Sequence, residues 1–211
     1  MNRQILPVTK NLLIVNVIMF LFTYPLLAEQ SVFTGLTGLP RNILAVYFPF
    51  GDTPFRPFQV VTSMFMHGGW WHLGFNMYAL WMFGSFVEAA LGPKRYFVYY
   101  LVSGFGALLL HWAMTVALGE PTNVPMLGAS GAIYGLLVGF AFVSPNARLM
   151  LIFPPIPLKA KYFVLGLIAI DLFSGFTRVT SGVAHFAHVG GALAGFVLLL
   201  LWSRSGGLYR S

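Results

Sequence analysis

The chain has 211 residues, of which 58% are hydrophobic and 8% charged, and its mean hydropathy is +0.80. Soluble domains carry roughly a quarter charged residues, so a water-facing fold is excluded and an integral membrane protein remains. Cysteine is absent, which excludes disulfides, thiol nucleophiles and cysteine metal sites. The formal net charge of +7 raises the question of nucleic acid. The twelve basic residues stand singly or in pairs between apolar segments and form no stripe, so no nucleic-acid partner is expected.

A membrane-spanning helix needs about 20 mostly apolar residues. Taken in chain order, six segments qualify, at roughly 11–28, 69–91, 95–118, 126–143, 158–174 and 183–202. The predicted fold class is an all-α integral membrane protein, a bundle of six transmembrane helices forming one domain over residues 1–211. Arg3 and Lys10 precede the first segment as in a signal peptide, but its apolar run is long and no A-x-A-like site follows. It is read as a retained anchor. The next connection, from Glu29 to about Gly68, contains "FTGLTGLPRNILAVYFPFGDTPFRPF", which is too apolar for a solvated linker. It is read as a long first outer loop lying partly in the membrane interface. "FPPIPLK" (153–159) breaks the apolar pattern just before the fifth segment.

Lys and Arg accumulate in cytoplasmic loops. With the N-terminus inside, nine basic residues (Arg3, Lys10, Lys94, Arg95, Arg148, Lys159, Lys161, Arg204 and Arg210) fall in inner segments. Three (Arg41, Arg56 and Arg178) fall in outer ones. Both termini are therefore expected in the cytoplasm. A bacterial inner membrane is the expected location, because the chain is short and carries no organelle-targeting extension.

Segments two, four and six then run from outside to inside, and each carries polar groups near its outer end. These are His72 and Asn76 in "GGWWHLGFNMYAL", Ser130 in "MLGASGAIYG", and His185 and His188 in "GVAHFAHVGGALAG". They lie about 3–10 Å below the outer helix ends at 1.5 Å rise per residue. Ionisable groups inside a membrane are costly and point to function. Gly131, Gly135 and Gly139 recur every fourth position in segment four, as do Ala187, Gly191 and Gly195 in segment six. Small residues at that spacing let two membrane helices approach closely. His188 lies about 60° round its helix from Gly191, and Ser130 about 100° from Gly131. If four packs on six, a Ser130–His188 hydrogen bond is within reach. A serine hydroxyl becomes a nucleophile when a neighbouring imidazole takes its proton, and acyl transfer needs donors for the developing oxyanion. His72 and Asn76, four apart on one face, are candidates, as are the backbone N–H groups at the head of segment four.

"GASG" (128–131), "AHVGG" (187–191) and "HLGFN" (72–76) together resemble the rhomboid intramembrane serine proteases, and the likeness runs from about residue 10 to 202. The resemblance implies an endopeptidase that cleaves transmembrane protein substrates near the outer membrane face, without a cofactor. It implies Ser130 as nucleophile and His188 as general base, a dyad without a third acid. It implies an oxyanion hole of His72, Asn76 and the Ser130 backbone, with Tyr134 packed on the catalytic imidazole and Gly128, Gly131 and Gly191 in support. Glu88, Gly92 and Arg95 in "EAALGPKR" resemble the family's structural pattern at the inner end of helix two. The Trp-Arg pair frequent in the family's first loop is replaced by "FRPF", which leaves Arg56 as its counterpart. The chain resembles the minimal bacterial form.

Two other classes stay open: a catalytically silent rhomboid-like protein that binds or escorts membrane clients, and a small transporter using the histidines as a proton relay. His185 and His188 have helical spacing for a metal, but with no carboxylate nearby in sequence and no HExxH, no metal is expected. His67 and His111 are assigned to the interface; Asp171 could orient a histidine, but is assigned to a structural or outer-interface role. Glu88 is read as a hydrogen-bonding anchor near the inner face, and substrate entry is placed near helix five or "EPTNVPML" (120–127).

Overall fold

The computed structural model describes residues 5–27, 43–150, 156–177 and 184–205. Among these residues seven helices form. Six are α1 (Pro7–Leu27), α2 (Trp70–Leu91), α3 (Pro93–Leu118), α4 (Ser130–Val143), α5 (Ala160–Thr177) and α6 (His185–Arg204). The seventh, Gln59–Thr62, is a single turn that runs into a 3-10 turn at Ser63–Phe65. By length and composition α1, α3, α5 and α6 are able to cross a membrane. The 22-residue α2 is not among these four, because His72, Asn76, Glu88 and its three tryptophans lower its mean hydropathy. The 14 residues of α4 span about 21 Å at 1.5 Å each, short of the about 30 Å of bilayer hydrocarbon.

Segment four was expected to start near Met126, and it starts at Ser130 instead. Gly128 has φ 125°, which no right-handed helix contains. Met126 pairs with Val46 in an isolated antiparallel bridge, which commits its backbone elsewhere. The fifth helix likewise begins at Ala160, because Pro157–Lys159 pairs antiparallel with Arg148–Met150, Arg148 opposite Lys159. Of the expected first loop, residues 28–42 lie outside the described residues. From 43 onward the chain turns inward, and Ala45, Val46, Tyr47, Met64 and Met66 are buried.

The centre of the molecule is the mutual packing of α3, α4 and α6. A Cβ on Gly191 would land on the carbonyl of Gly131, so α4 and α6 touch backbone to backbone. Such contacts, rich in van der Waals attraction, hold membrane helices together where lipid removes the hydrophobic drive. The third partner, α3, was not expected. Ala107 fills the space beside Gly131, Ser103 that beside Gly135, and the Tyr99 hydroxyl donates to the Gly135 carbonyl at 2.6 Å. Gly139 leaves the seam and meets Val87 and Tyr99. Positions four apart drift by about 40° per step, so a long glycine row cannot stay on one partner.

At the other end, Glu88 is 2% exposed and accepts from the backbone N–H groups of Val8 (3.0 Å) and Thr9 (2.8 Å) and from the Thr9 hydroxyl (2.8 Å). The first turn of α1 has no internal acceptors for these donors, and a carboxylate from α2 supplies them. Gly92, at φ 77°, makes the tight passage from α2 to α3. The Arg95 guanidinium carbon sits 5.9 Å from the centre of the Trp202 ring.

Candidate active site

Because α4 begins at Ser130, its first i→i−4 bond runs from Ile133 N–H to the Ala129 carbonyl. The N–H groups of Ser130, Gly131 and Ala132 therefore have no acceptor one turn back and point out of the helix start. The loop feeding them is pinned. Met126 and Val46 exchange two backbone bonds (2.8 and 3.1 Å), and Gly128 N–H donates to the Ser63 carbonyl at 2.9 Å.

Gly128 brings its bare backbone against His72. A Cβ there would stand 2.8 Å from His72 Nε2 and 3.8 Å from Ser130 Oγ. On its far side the His72 ring accepts, through Nδ1, the Gly68 N–H at 3.3 Å. A neutral imidazole carries one proton, so this bond puts it on Nε2, the nitrogen facing Gly128 and the serine. Asn76 is 6% exposed, and its Nδ2 donates to the His72 carbonyl one turn back at 2.8 Å, leaving one amide hydrogen for other use.

His67 was assigned to the interface; it is instead fully buried, with its ring 5.0 Å from that of His72 and inclined at 67°. Burial, and then the nearby His72, push its pKa from 6.5 down to about 3, so at neutral pH it backs His72 as an uncharged ring. His111 lines a small pocket with Val46, Trp112, Thr122 and Met126. Arg56 gives its backbone N–H to Gln59 Oε1 in the turn ahead of Gln59–Thr62.

Ser130 Oγ lies 2.9 Å from His188 Nε2, the contact reachable from the glycine seams. The His188 ring stacks on Tyr134 at 4.3 Å between centres and 9° between planes, which holds its orientation. Its other nitrogen, Nδ1, is 3.1 Å from Asp171 Oδ1, and His185 Nδ1 meets the same oxygen at 2.6 Å. The side chains of Asp171, His185 and His188 are 7%, 11% and 14% exposed. The family resemblance implies an imidazole without an acid; in this fold α5 brings a carboxylate beside it. Seventeen positions separate Asp171 from His188, too many for any local periodicity to connect them. The available signal was a lone acid in the apolar run "YFVLGLIAIDLF".

Asp171, His185 and His188 each offer a metal-ligand atom, all within 4.8 Å of one another. Adjacent ligands of a tetrahedral zinc at 2.0–2.1 Å stand about 3.3 Å apart. The 2.6 Å between Asp171 and His185 is shorter, which fits a direct hydrogen bond between the two side chains.

Fold and site together define a helical membrane protein with a serine–imidazole–carboxylate chain inside its bundle. Residues 54–205 match the Rhomboid domain, and the chain belongs to the rhomboid family. It is 32% identical over 176 residues to Rhomboid protein 1, mitochondrial, of Saccharomyces cerevisiae, covering 82% of this chain and 50% of that one. Rhomboid-like protein 11, chloroplastic, of Arabidopsis thaliana is 32% identical over 160 residues, 70% of this chain and 53% of its own. The human Presenilin-associated rhomboid-like protein, mitochondrial, is 34% identical over 137 residues, 64% of this chain and 35% of its own. The chain thus spans about half the length of the first two and about a third of the last. Their names place these relatives in mitochondria and a chloroplast, so they lend no support to the bacterial inner membrane expected from the short chain.

Proposed function

We propose that this rhomboid-family chain is an intramembrane serine endopeptidase that cuts transmembrane proteins near one face of the bilayer. The observation that carries the reading is the 2.9 Å contact between Ser130 Oγ and His188 Nε2, on an imidazole stacked against Tyr134. His188 Nε2 takes the hydroxyl proton as Oγ attacks the scissile carbonyl, then returns it to the departing amine. Water repeats the sequence to release the acyl group. The oxyanion meets His72 Nε2–H, the second amide hydrogen of Asn76 and the N–H groups at the head of α4, each donor contributing about 2.7–4 kcal/mol to the transition state.

A bond inside a helix has its carbonyl hydrogen-bonded and shielded, so the substrate unwinds locally before it is cut. Small or helix-breaking residues near the site ease that step, and the freed strand pairs with backbone near the site by strand addition. All six long helices are proposed to lie in the bilayer, with both termini on the side where nine of the twelve basic residues gather. The reading of a silent client-binding relative usually goes with loss of the serine or histidine, and both are present at 130 and 188.

A fluorophosphonate probe is expected to label the wild-type chain and to leave Ser130→Ala unlabelled. Cleavage of a reconstituted transmembrane client by Ser130→Ala at the wild-type rate would end the protease reading.

A further inference from the structure

We infer that Asp171 is a positioning residue for His188, making the site a three-membered chain in which His185 holds the carboxylate. The inference rests on the protease reading above and adds the residue that prepares its base.

An ionised carboxylate oxygen only accepts hydrogen bonds. Asp171 Oδ1 lies 3.1 Å from His188 Nδ1 and 2.6 Å from His185 Nδ1, so both nitrogens carry their proton toward it. For a neutral His188 this leaves Nε2 bare, and Nε2 is the atom 2.9 Å from Ser130 Oγ. The carboxylate thereby selects the one tautomer able to accept the serine's proton. When Nε2 takes that proton the ring becomes a cation, and the charge of Asp171 stands against its opposite edge.

Burial makes the arrangement specific. The Asp171 side chain is 7% exposed, and its second oxygen is buried without a hydrogen-bond partner among the described residues. The carboxylate is therefore held in the bundle by the two imidazoles, with the Tyr134 side chain also close to it. His185 also keeps its carboxylate from turning away, since it meets the same oxygen at the shorter distance. Tyr134 closes one face of His188, Asp171 one edge and Ser130 the other, so the ring has one orientation.

The experiment compares wild type, Asp171→Asn, Asp171→Glu and Ser130→Ala, reconstituted in liposomes with a transmembrane client. Readouts are kcat, KM, fluorophosphonate labelling rate and unfolding temperature. An amide at 171 turns a donor toward Nδ1 and favours the wrong tautomer. Asp171→Asn is therefore expected to lower kcat and labelling by about 100-fold or more, toward the about 10⁴-fold that this change costs in soluble Ser-His-Asp proteases. KM and unfolding temperature stay at wild-type values, because Asp171 does not touch the substrate, and Asp171→Glu recovers part of the loss. Wild-type kcat in Asp171→Asn, a matching rise in KM, or equal loss in the Asn and Glu variants overturns the inference.

A second measurement needs no folded Asp171 variant. Nitrogen NMR of the wild-type chain with ¹⁵N-histidine, assigned by omission of His188, is expected to find that ring protonated at Nδ1; the opposite tautomer refutes the proposal. A wild-type chain that neither labels nor cuts sinks the protease reading and this inference together. A cutting enzyme indifferent to Asp171→Asn sinks the inference alone.

Discussion

A buried histidine with no charge partner is an acid-sensitive element, and His67 is one. Its pKa is about 3 in the folded chain against 6.5 as the ordinary value. Between these two pH values the unfolded chain binds a proton that the folded chain refuses. The stability that His67 contributes is complete above about pH 6.5 and is lost as pH falls toward 3, at up to about 1.4 kcal/mol per pH unit. The unfolding temperature in detergent is expected to drop from pH 7 to pH 4, and His67→Phe to flatten that drop. An unchanged slope in the variant would show that other groups set the acid limit. The same residue illustrates what one chain position hides. In "MFMHGGWWH" nothing distinguishes a buried ring from an interfacial one; its surroundings come from the packing of His72 and the turn at Ser63–Phe65.

Between helices, the decisive contact is the meeting of Gly191 with the Gly131 carbonyl. Any side chain there wedges α6 from α4 and carries His188 away from Ser130. Gly191→Val is expected to cost about 1–3 kcal/mol of stability as an overpacking change and to abolish probe labelling. Gly166→Ala, on an open face of α5 with nothing within 4 Å of the added carbon, is expected to keep labelling and unfold no earlier. Labelling that survives Gly191→Val would mean the seam tolerates separation. This seam was legible because small residues every fourth position are a local pattern. The role of α3 was not: Ser103 and Ala107 look ordinary until Gly135 and Gly131 are laid against them. Nor was the start of α4, where Met126–Ala129 is apolar enough to read as helix. What stops it is a positive φ at Gly128 and a pairing with Val46, 80 positions upstream. Asp171 was legible as a residue that could orient a histidine but was ranked below a structural role for the same reason: its partners sit on a different helix.

At the scale of the molecule, the charge distribution predicts an orientation that a cysteine-free chain makes easy to test. Single cysteines at Lys94 and Arg204 are expected to react with an impermeant maleimide from one side of a sealed vesicle. Cysteines at Phe50 and Val124, 90% and 58% exposed, are expected to react from the other. Reaction of all four from the same side would invalidate the topology. On the proposed protease reading, the 14-residue length of α4 bears on what a cut would release. With its far end at the inner boundary, Ser130 stands about 9 Å beneath the opposite one, the difference between about 21 Å of helix and about 30 Å of hydrocarbon. A target severed at that level is divided unequally. The larger fragment keeps most of its oily stretch and stays embedded. The smaller retains about six such residues at 1.5 Å apiece, too few for an anchor, and drifts into the water. On that reading, severing and shedding are a single event.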